Sequence, residues 1–197
     1  MSFQTTYGPD GRLRVAILGC TGSIGTQALD VCRQHADLLQ VTALSVNSST
    51  SELVAAAREF SVPAVAVADV AHGDDAVLQE LPEGTKLGVG AQAVCELARR
   101  DDVDCVLVAI VGAAGLEASH AALTSNKRLA LANKESLVVG ATCLCRWRNR
   151  ASLFQSILST PPSTSAIWGR THARLIVFGS PARAVRSLAA RATSSIA

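Results

Sequence analysis

Residues 14–25, RVAILGCTGSIG, decide the fold. The apolar run Val15-Ala16-Ile17-Leu18 ends in Gly19 and reads as a buried strand closed by a tight turn. The turn, Gly19-Cys20-Thr21-Gly22-Ser23-Ile24-Gly25, has the spacing G-x-x-G-x-x-G, and the stripe Ile24, Ala28, Leu29 and Cys32 behind it has helical periodicity. A glycine pattern between a strand and a helix is the context in which the pyrophosphate of a dinucleotide is bound. The first glycine permits the turn, the second lets phosphates approach the backbone, and the third lets helix and strand pack closely. The helix N-terminus offers unpaired N–H groups and partial positive charge, to which Thr21 and Ser23 add hydroxyls. The alternative is a glycine turn with a purely structural role.

Working outward, further strands are expected at residues 41–46, 64–68, 86–89, 103–110 and 129–132. Helices are expected over residues 23–36, 51–60, 76–81, 91–100, 116–125 and 134–139. Residues 103–110 are almost continuously apolar, as in a strand covered on both faces. Strands alternating with helices at this spacing give the α/β class: a doubly wound, Rossmann-like parallel sheet. After Gly140 the rhythm fails. Ser/Thr clusters, Pro161, Pro162, Pro181 and scattered Arg follow, and the apolar runs 175–178 and 185–190 allow local structure only. The expected organisation is a dinucleotide-binding domain over residues 1–140 and an irregular C-terminal tail over residues 141–197.

Charge divides the chain at the same place. The 197 residues are 49% apolar and 17% charged, enough to build a core, and the formal net charge is +2. Residues 1–135 hold 10 basic and 16 acidic side chains, a net of −6, whereas residues 136–197 hold eight Arg with no Lys, Asp or Glu, a net of +8. Those Arg are dispersed rather than clustered, so no nucleic-acid partner is expected. The longest uncharged apolar run, residues 105–116, falls short of the ~20 residues of a membrane helix, and no basic-then-apolar leader opens the chain. A cytoplasmic protein with no membrane partner is expected. None of the six Cys forms a C-x-x-C pair, which suggests reduced, mostly buried thiols. Cys143-x-Cys145 has no His or second pair at finger spacing, so no metal site is assigned to it.

Two further segments bear on chemistry. The second strand ends in Val46-Asn47-Ser48-Ser49-Thr50, with no acid before Glu52. NAD sites usually place a carboxylate there for the ribose 2′-OH, so its absence favours NADP, although no Lys or Arg stands nearby in sequence to receive a 2′-phosphate. Residues 129–139, LALANKESLVV, deliver Asn133, Lys134 and Glu135 at the carboxyl end of a strand, where doubly wound folds bind ligands. Lys134 there can hold an anionic substrate that Glu135 orients. The alternative is a capped helix start with a surface ion pair.

These motifs together make the chain resemble 1-deoxy-D-xylulose 5-phosphate reductoisomerase. The resemblance rests on the glycine turn, on AIVGAAGL (residues 109–116) and on LALANKESLVVG (residues 129–140), and it covers residues 14–140. It implies NADPH contacts at Thr21, Gly22, Ser23 and Ile24, again at Asn133 and Glu135, and a substrate contact at Lys134. The family segment after the second strand has a Gly, often a basic residue, and an Asn. Here Asn47, Ser48 and Ser49 fill it, with Asn47 the cofactor candidate. The resemblance further implies a homodimer, a phosphorylated sugar substrate, and Mg or Mn as a Lewis acid for a rearrangement that NADPH completes by reduction to 2-C-methyl-D-erythritol 4-phosphate. The family's metal carboxylates lie in a Val-Asp-Ser-Glu-His stretch, and this chain has no acid after Glu135. The catalytic half is therefore expected to be missing and turnover impaired. A stand-alone NADP-binding module is the alternative.

Reverse translation offers a reason. When the third base of each codon is joined to the first two of the next, residues 154–166 permit Leu-Pro-Val-Asp-Ser-Glu-His-Ser-Ala-Ile-Tyr-Gln-Cys. Residues 141–145 permit Gly-Asp-Leu-Phe, and residues 168–170 permit Leu-Gly-Glu, in the same frame. The expectation is that residues 141–197 are an out-of-frame product.

Overall fold

The structure, a computed structural model, describes residues 8–110 and 112–131, and the backbone of residues 175–177. Strand β1 (Leu13–Leu18) lies inside a seven-stranded sheet. To one side follow β2 (Leu39–Val46), β3 (Ala64–Val67) and β4 (Lys86–Val89). To the other follow β5 (Cys105–Val108), β6 (Arg128–Leu131) and β7 (Leu175–Val177). The order is β4-β3-β2-β1-β5-β6-β7, and every neighbouring pair is parallel. Between the strands run helices α1 (Ser23–Gln34), α2 (Thr50–Phe60), α3 (Ala91–Arg99) and α4 (Ala113–Thr124). The chain moves outward one way from β1 and then returns to the other side at β5. The topological switch point, and with it the ligand crevice, therefore lies at the carboxyl ends of β1 and β5.

Two apolar layers cover the sheet. On one face Leu13, Val15 and Ile17 pack with Ala28, Leu29 and Cys32 of α1 and with Leu53, Val54 and Ala57 of α2. On the other, Ala16, Leu18 and Ala43 pack with Val94, Leu97 and Ala98 of α3 and with Ala118, Ala121 and Ala122 of α4. Burying each Leu or Val contributes roughly 1.5–3 kcal/mol, so these layers dominate the stability of the unit. At the amino edge Arg14 clamps Asp104 through Nε–Oδ2 at 2.9 Å and Nη2–Oδ1 at 2.7 Å, while the Arg14 backbone N–H donates to Oδ2 at 3.0 Å. This bidentate pair ties the start of β1 to that of β5.

The β1–β2 ladder carries a one-residue irregularity. Val15 pairs with Val41 but Ala16 pairs with Ala43, so Thr42 is an extra residue in β2. The Thr42 hydroxyl is buried, and it has no hydrogen-bond partner among the described residues.

Most of the expected elements stand within two residues of their sequence positions, with informative differences. α4 begins at Ala113 rather than residue 116, because its buried stripe is built of small residues that hydropathy does not register. β5 is shorter than its apolar run, spanning Cys105–Val108. Residues 76–80 form a 3₁₀ turn, and a second one, unanticipated, spans Val70–His72 behind the Asp69 cap. The run at 175–178, for which sequence allowed only local structure, contributes β7, with Leu129↔Leu175 and Leu131↔Val177 in register. The expected helix at residues 134–139 and the apolar run 185–190 lie outside the described residues.

Candidate dinucleotide site

The glycine turn emerges from β1 at the switch point. Gly19 has φ +85°, a conformation that side chains rarely adopt, and a Cβ there would sit 2.9 Å from the Ala109 carbonyl oxygen. Its N–H and that of Cys20 both donate to the Ser45 carbonyl at 2.9 Å, and the Gly19 N–H also reaches Ser45 Oγ at 3.2 Å. The end of β2 thus anchors the turn. At Gly25 a Cβ would lie 2.2 Å from the Gly19 carbonyl oxygen, so helix and turn can meet only without a side chain.

Gly22 differs. Its φ is −70°, ordinary for any residue, and a Cβ there would come no closer than 3.6 Å to protein atoms. Neither backbone strain nor packing within the protein requires glycine at this position. What glycine leaves is bare, exposed backbone at the head of α1, the shape that admits a pyrophosphate. No side chain caps α1 and no acid stands in its first turn, so its N–H groups and dipole face this space uncompensated. Ser23 is exposed, Thr21 and Ile24 are half-buried, and all stand around Gly22. Cys20, by contrast, is buried, and burial pushes its thiol up to about 12, which makes it part of the packing rather than of the chemistry.

The end of β2 holds Asn47, exposed, and the half-buried Ser48 and Ser49, whose side chains cap no helix. Here tertiary structure adds what sequence proximity hid. The loop after β3 runs alongside, with Ala68 N–H donating to Val46 O at 2.9 Å and Asp69 N–H to Asn47 O at 3.0 Å. Farther along this loop, Asp75 accepts from the Thr50 hydroxyl at 2.7 Å and lies 3.1 Å from His72 Nδ1. The Thr50 hydroxyl, and then His72, hold the Asp75 carboxyl below its usual range. Carboxylates are therefore present beside the end of β2 despite their absence from its local sequence.

Charge is segregated across the sheet. Arg12 and Arg14 flank the start of β1, Lys86 opens β4, and Lys127 and Arg128 open β6. Arg33, Arg58 and Arg99 stand toward the C-terminal ends of their helices, with Arg100 just beyond. In a parallel doubly wound fold all these positions lie toward the amino edge. No Lys or Arg of the described residues stands in a loop leaving the carboxyl end of a strand.

Of the candidate residues, the fold brings Thr21, Gly22, Ser23, Ile24 and Asn47 to the carboxyl edge. Asn133, Lys134 and Glu135 lie outside the described residues, although the chain enters them two residues after β6 ends at that edge. Among the described residues no group of three His, Cys, Asp or Glu can hold a metal ion, and no helix is long and apolar enough to cross a membrane. The cradle at Gly22 and the open head of α1 fit a dinucleotide. No metal step follows from these residues.

Known proteins agree with this architecture. The sequence model of the 1-deoxy-D-xylulose 5-phosphate reductoisomerase family matches residues 15–141. The reductoisomerase of Bacteroides fragilis is 45% identical over 129 residues, 64% of this chain and 32% of that protein. That of Ralstonia pickettii is 37% identical over 196 residues, 90% of this chain and 48% of that protein. A solved structure of the Zymomonas mobilis enzyme in complex with NADPH superposes with TM-score 0.63 and 36% identity, over 68% of this chain and 35% of the other. A further reductoisomerase structure, solved in complex with NADPH, fosmidomycin and magnesium, gives TM-score 0.62 at 36% identity, over 68% of this chain and 33% of the other. The chain thus spans from about a third to about half of the length of these relatives. On its glycine turn, its strand order and this match over most of its length, the chain belongs to the 1-deoxy-D-xylulose 5-phosphate reductoisomerase family.

Proposed function

We propose that this chain binds NADPH through its domain over residues 1–140, as the cofactor half of a reductoisomerase that converts 1-deoxy-D-xylulose 5-phosphate to 2-C-methyl-D-erythritol 4-phosphate. The observation that carries the reading is the bare Gly22 backbone at the uncapped head of α1, in a turn anchored by Ser45. Ser23 and Ile24 present backbone N–H groups to the pyrophosphate beside the bare Gly22 backbone, Thr21 adds its hydroxyl, and Asn47 meets the adenosine ribose. Asn133 and Glu135 contact the cofactor, and Lys134 holds the anionic sugar phosphate. NADPH, when bound, supplies the hydride. The relatives solved with NADPH and with magnesium support the cofactor assignment.

Residues 136–197 contain no Asp or Glu, so this stretch supplies no carboxylate to a divalent metal. We propose that residues 141–197 are read out of frame and that the chain, by itself, binds NADPH without appreciable turnover. The Ralstonia pickettii alignment covers 90% of the chain and so runs into this stretch, which makes the encoding DNA the decisive evidence. Strand β7 is compatible with either frame, since a three-residue apolar run on an open sheet edge asks little of sequence. Two measurements test the reading. Fluorescence titration should give saturable binding of NADPH, tighter than of NADH, and absence of NADPH binding refutes the cofactor role. NADPH consumption with 1-deoxy-D-xylulose 5-phosphate and Mn²⁺ should be negligible, whereas turnover comparable to a full-length relative refutes the impairment.

A further inference from the structure

NADPH differs from NADH by one phosphate monoester, and a doubly wound fold reads it beside the end of the second strand. The usual reader is an arginine. Here every described Lys and Arg stands toward the opposite edge of the sheet. The loop that lies against the Asn47 backbone carries instead Asp69, Asp74 and Asp75, and one histidine, His72.

We propose that His72 is the specificity-determining residue for the 2′-phosphate, acting as a cation that Asp75 orients, so that preference for NADPH over NADH depends on pH. The inference rests on the NADPH-binding reading above. His72 Nδ1 faces Asp75 at 3.1 Å, and Asp75 accepts from Thr50, the residue that opens α2 immediately after the Asn47-Ser48-Ser49 turn. The ring is thereby tied to the segment where the 2′ substituent must lie, and its side chain remains 42% exposed. With Nδ1–H donated to Asp75, the neutral ring presents the lone pair of Nε2, which repels a phosphate. The protonated ring presents Nε2–H, which donates to one. Asp75 thus orients the ring in both states.

Among the described residues, the charged groups that these elements bring to the carboxyl edge are all acidic, since Arg58 of α2 and Lys86 of β4 stand at the opposite ends of their elements. The acids are Asp69, which caps the 3₁₀ turn through the Ala71 N–H, Asp74, Asp75, and Glu52 in the first turn of α2. Val89 and Gly90, which adjoin this loop from the end of β4, carry no charge. Without a positive ring this corner repels a phosphate, and with one it accepts it.

The test uses the whole chain, with NADPH and NADH titrated at about pH 6 and about pH 8, on either side of the ordinary histidine range. The ratio of NADH to NADPH dissociation constants should fall with rising pH by about tenfold in the natural chain, the scale of one hydrogen bond to a charged group. The phosphate itself, with a second pKa of about 6, gains charge over this range and among these carboxylates lowers the ratio too, so the comparison with His72 variants is what is diagnostic. His72→Ala should lower the ratio at about pH 6 on the order of tenfold and leave only the smaller fall due to the phosphate, with NADH affinity unchanged. His72→Arg should keep a high ratio at both pH values. A ratio that is flat or rises with pH in the natural chain, or a His72→Ala variant that keeps its preference, overturns the proposal and leaves NADPH binding standing. Equal weakening of both cofactors by His72→Ala overturns it in favour of a structural role. Failure of the natural chain to bind NADPH overturns both readings.

Discussion

Gly22 and Gly25 lie three residues apart in one motif, yet alanine should harm them in different ways. At Gly25 the added Cβ would stand 2.2 Å from the Gly19 carbonyl oxygen and 2.6 Å from Cys20 Cα, both backbone atoms that cannot rotate away. Relieving the overlap must lift α1 or open the turn, and overpacking of this kind costs about 3 kcal/mol. For a chain of this size that corresponds to a fall in Tm of roughly 6–12 °C. At Gly22 the Cβ would stand 3.6 Å from its nearest neighbour, at a φ of −70°. Alanine there loses some N-cap preference and gains from a less flexible unfolded chain. Both effects are about 0.5–1 kcal/mol and opposite in sign, so Tm should move by no more than about 3 °C. NADPH affinity should nevertheless drop at least about tenfold, because the methyl occupies the approach of the pyrophosphate. Thermal denaturation with and without NADPH, together with fluorescence titration, reads both quantities. A Gly22→Ala chain that binds NADPH normally, or a Gly25→Ala chain as stable as the natural one, refutes the division of labour between these glycines.

Three more expectations follow from single sites. Thr42→Val should raise stability by about 1 kcal/mol, because it is nearly isosteric and removes a buried hydroxyl without a partner among the described residues; chemical denaturation measures this. Cys32 and Cys105, whose thiols burial pushes up to about 12, should resist alkylation at about pH 8 until the chain is unfolded, with peptide mapping identifying the labelled sites. Glu59 is held below its usual range by hydrogen bonding to Arg33, so the ion pair contributes stability above the ordinary carboxylate range and loses it as pH falls through the lowered value. Glu59→Gln should therefore lower Tm slightly near neutrality, by the equivalent of less than about 1 kcal/mol for so exposed a pair, and leave Tm at about pH 2 unchanged.

The sheet was legible because β1, β2, β3 and β5 bury both faces and so stand out as apolar runs. Residues 14–25 alone imply the β1–α1 unit, and the structure places Gly19, Gly22 and Gly25 where that reading needs them. The start of α4 was not legible, because Ala113 and Ala114 give no amphipathic signal. Nor was the surrounding of Asn47. The segment after β2 is free of acid for several residues, yet the fold carries Asp69 to it through backbone hydrogen bonds, and Asp75 through a side-chain bond from Thr50, that no local pattern encodes. The charge segregation, too, emerges only once the parallel strands align their ends. Conversely, the 3₁₀ turn that holds His72 depends on one capping hydrogen bond from Ala71 to Asp69, too small a signal to separate from loop sequence.

The extra residue in β2 works as a phase shifter. Side chains of a strand alternate between faces, so Leu39 and Val41 share one face, and Leu44 and Val46 would fall on the other. They do not: all four lie in the same apolar layer, while Ala43 lies in the opposite one. Thr42 supplies the half-period that keeps both ends of the strand in step with α1 and α2. Its position also fixes which way Ser45 points, and Ser45 is the residue that grips the glycine turn. Deleting Thr42 would leave a strand of the same composition whose carboxyl half is inverted, with Leu44 and Val46 aimed at the alanine face of α4. The cofactor turn would lose its anchor without any residue of the turn having changed.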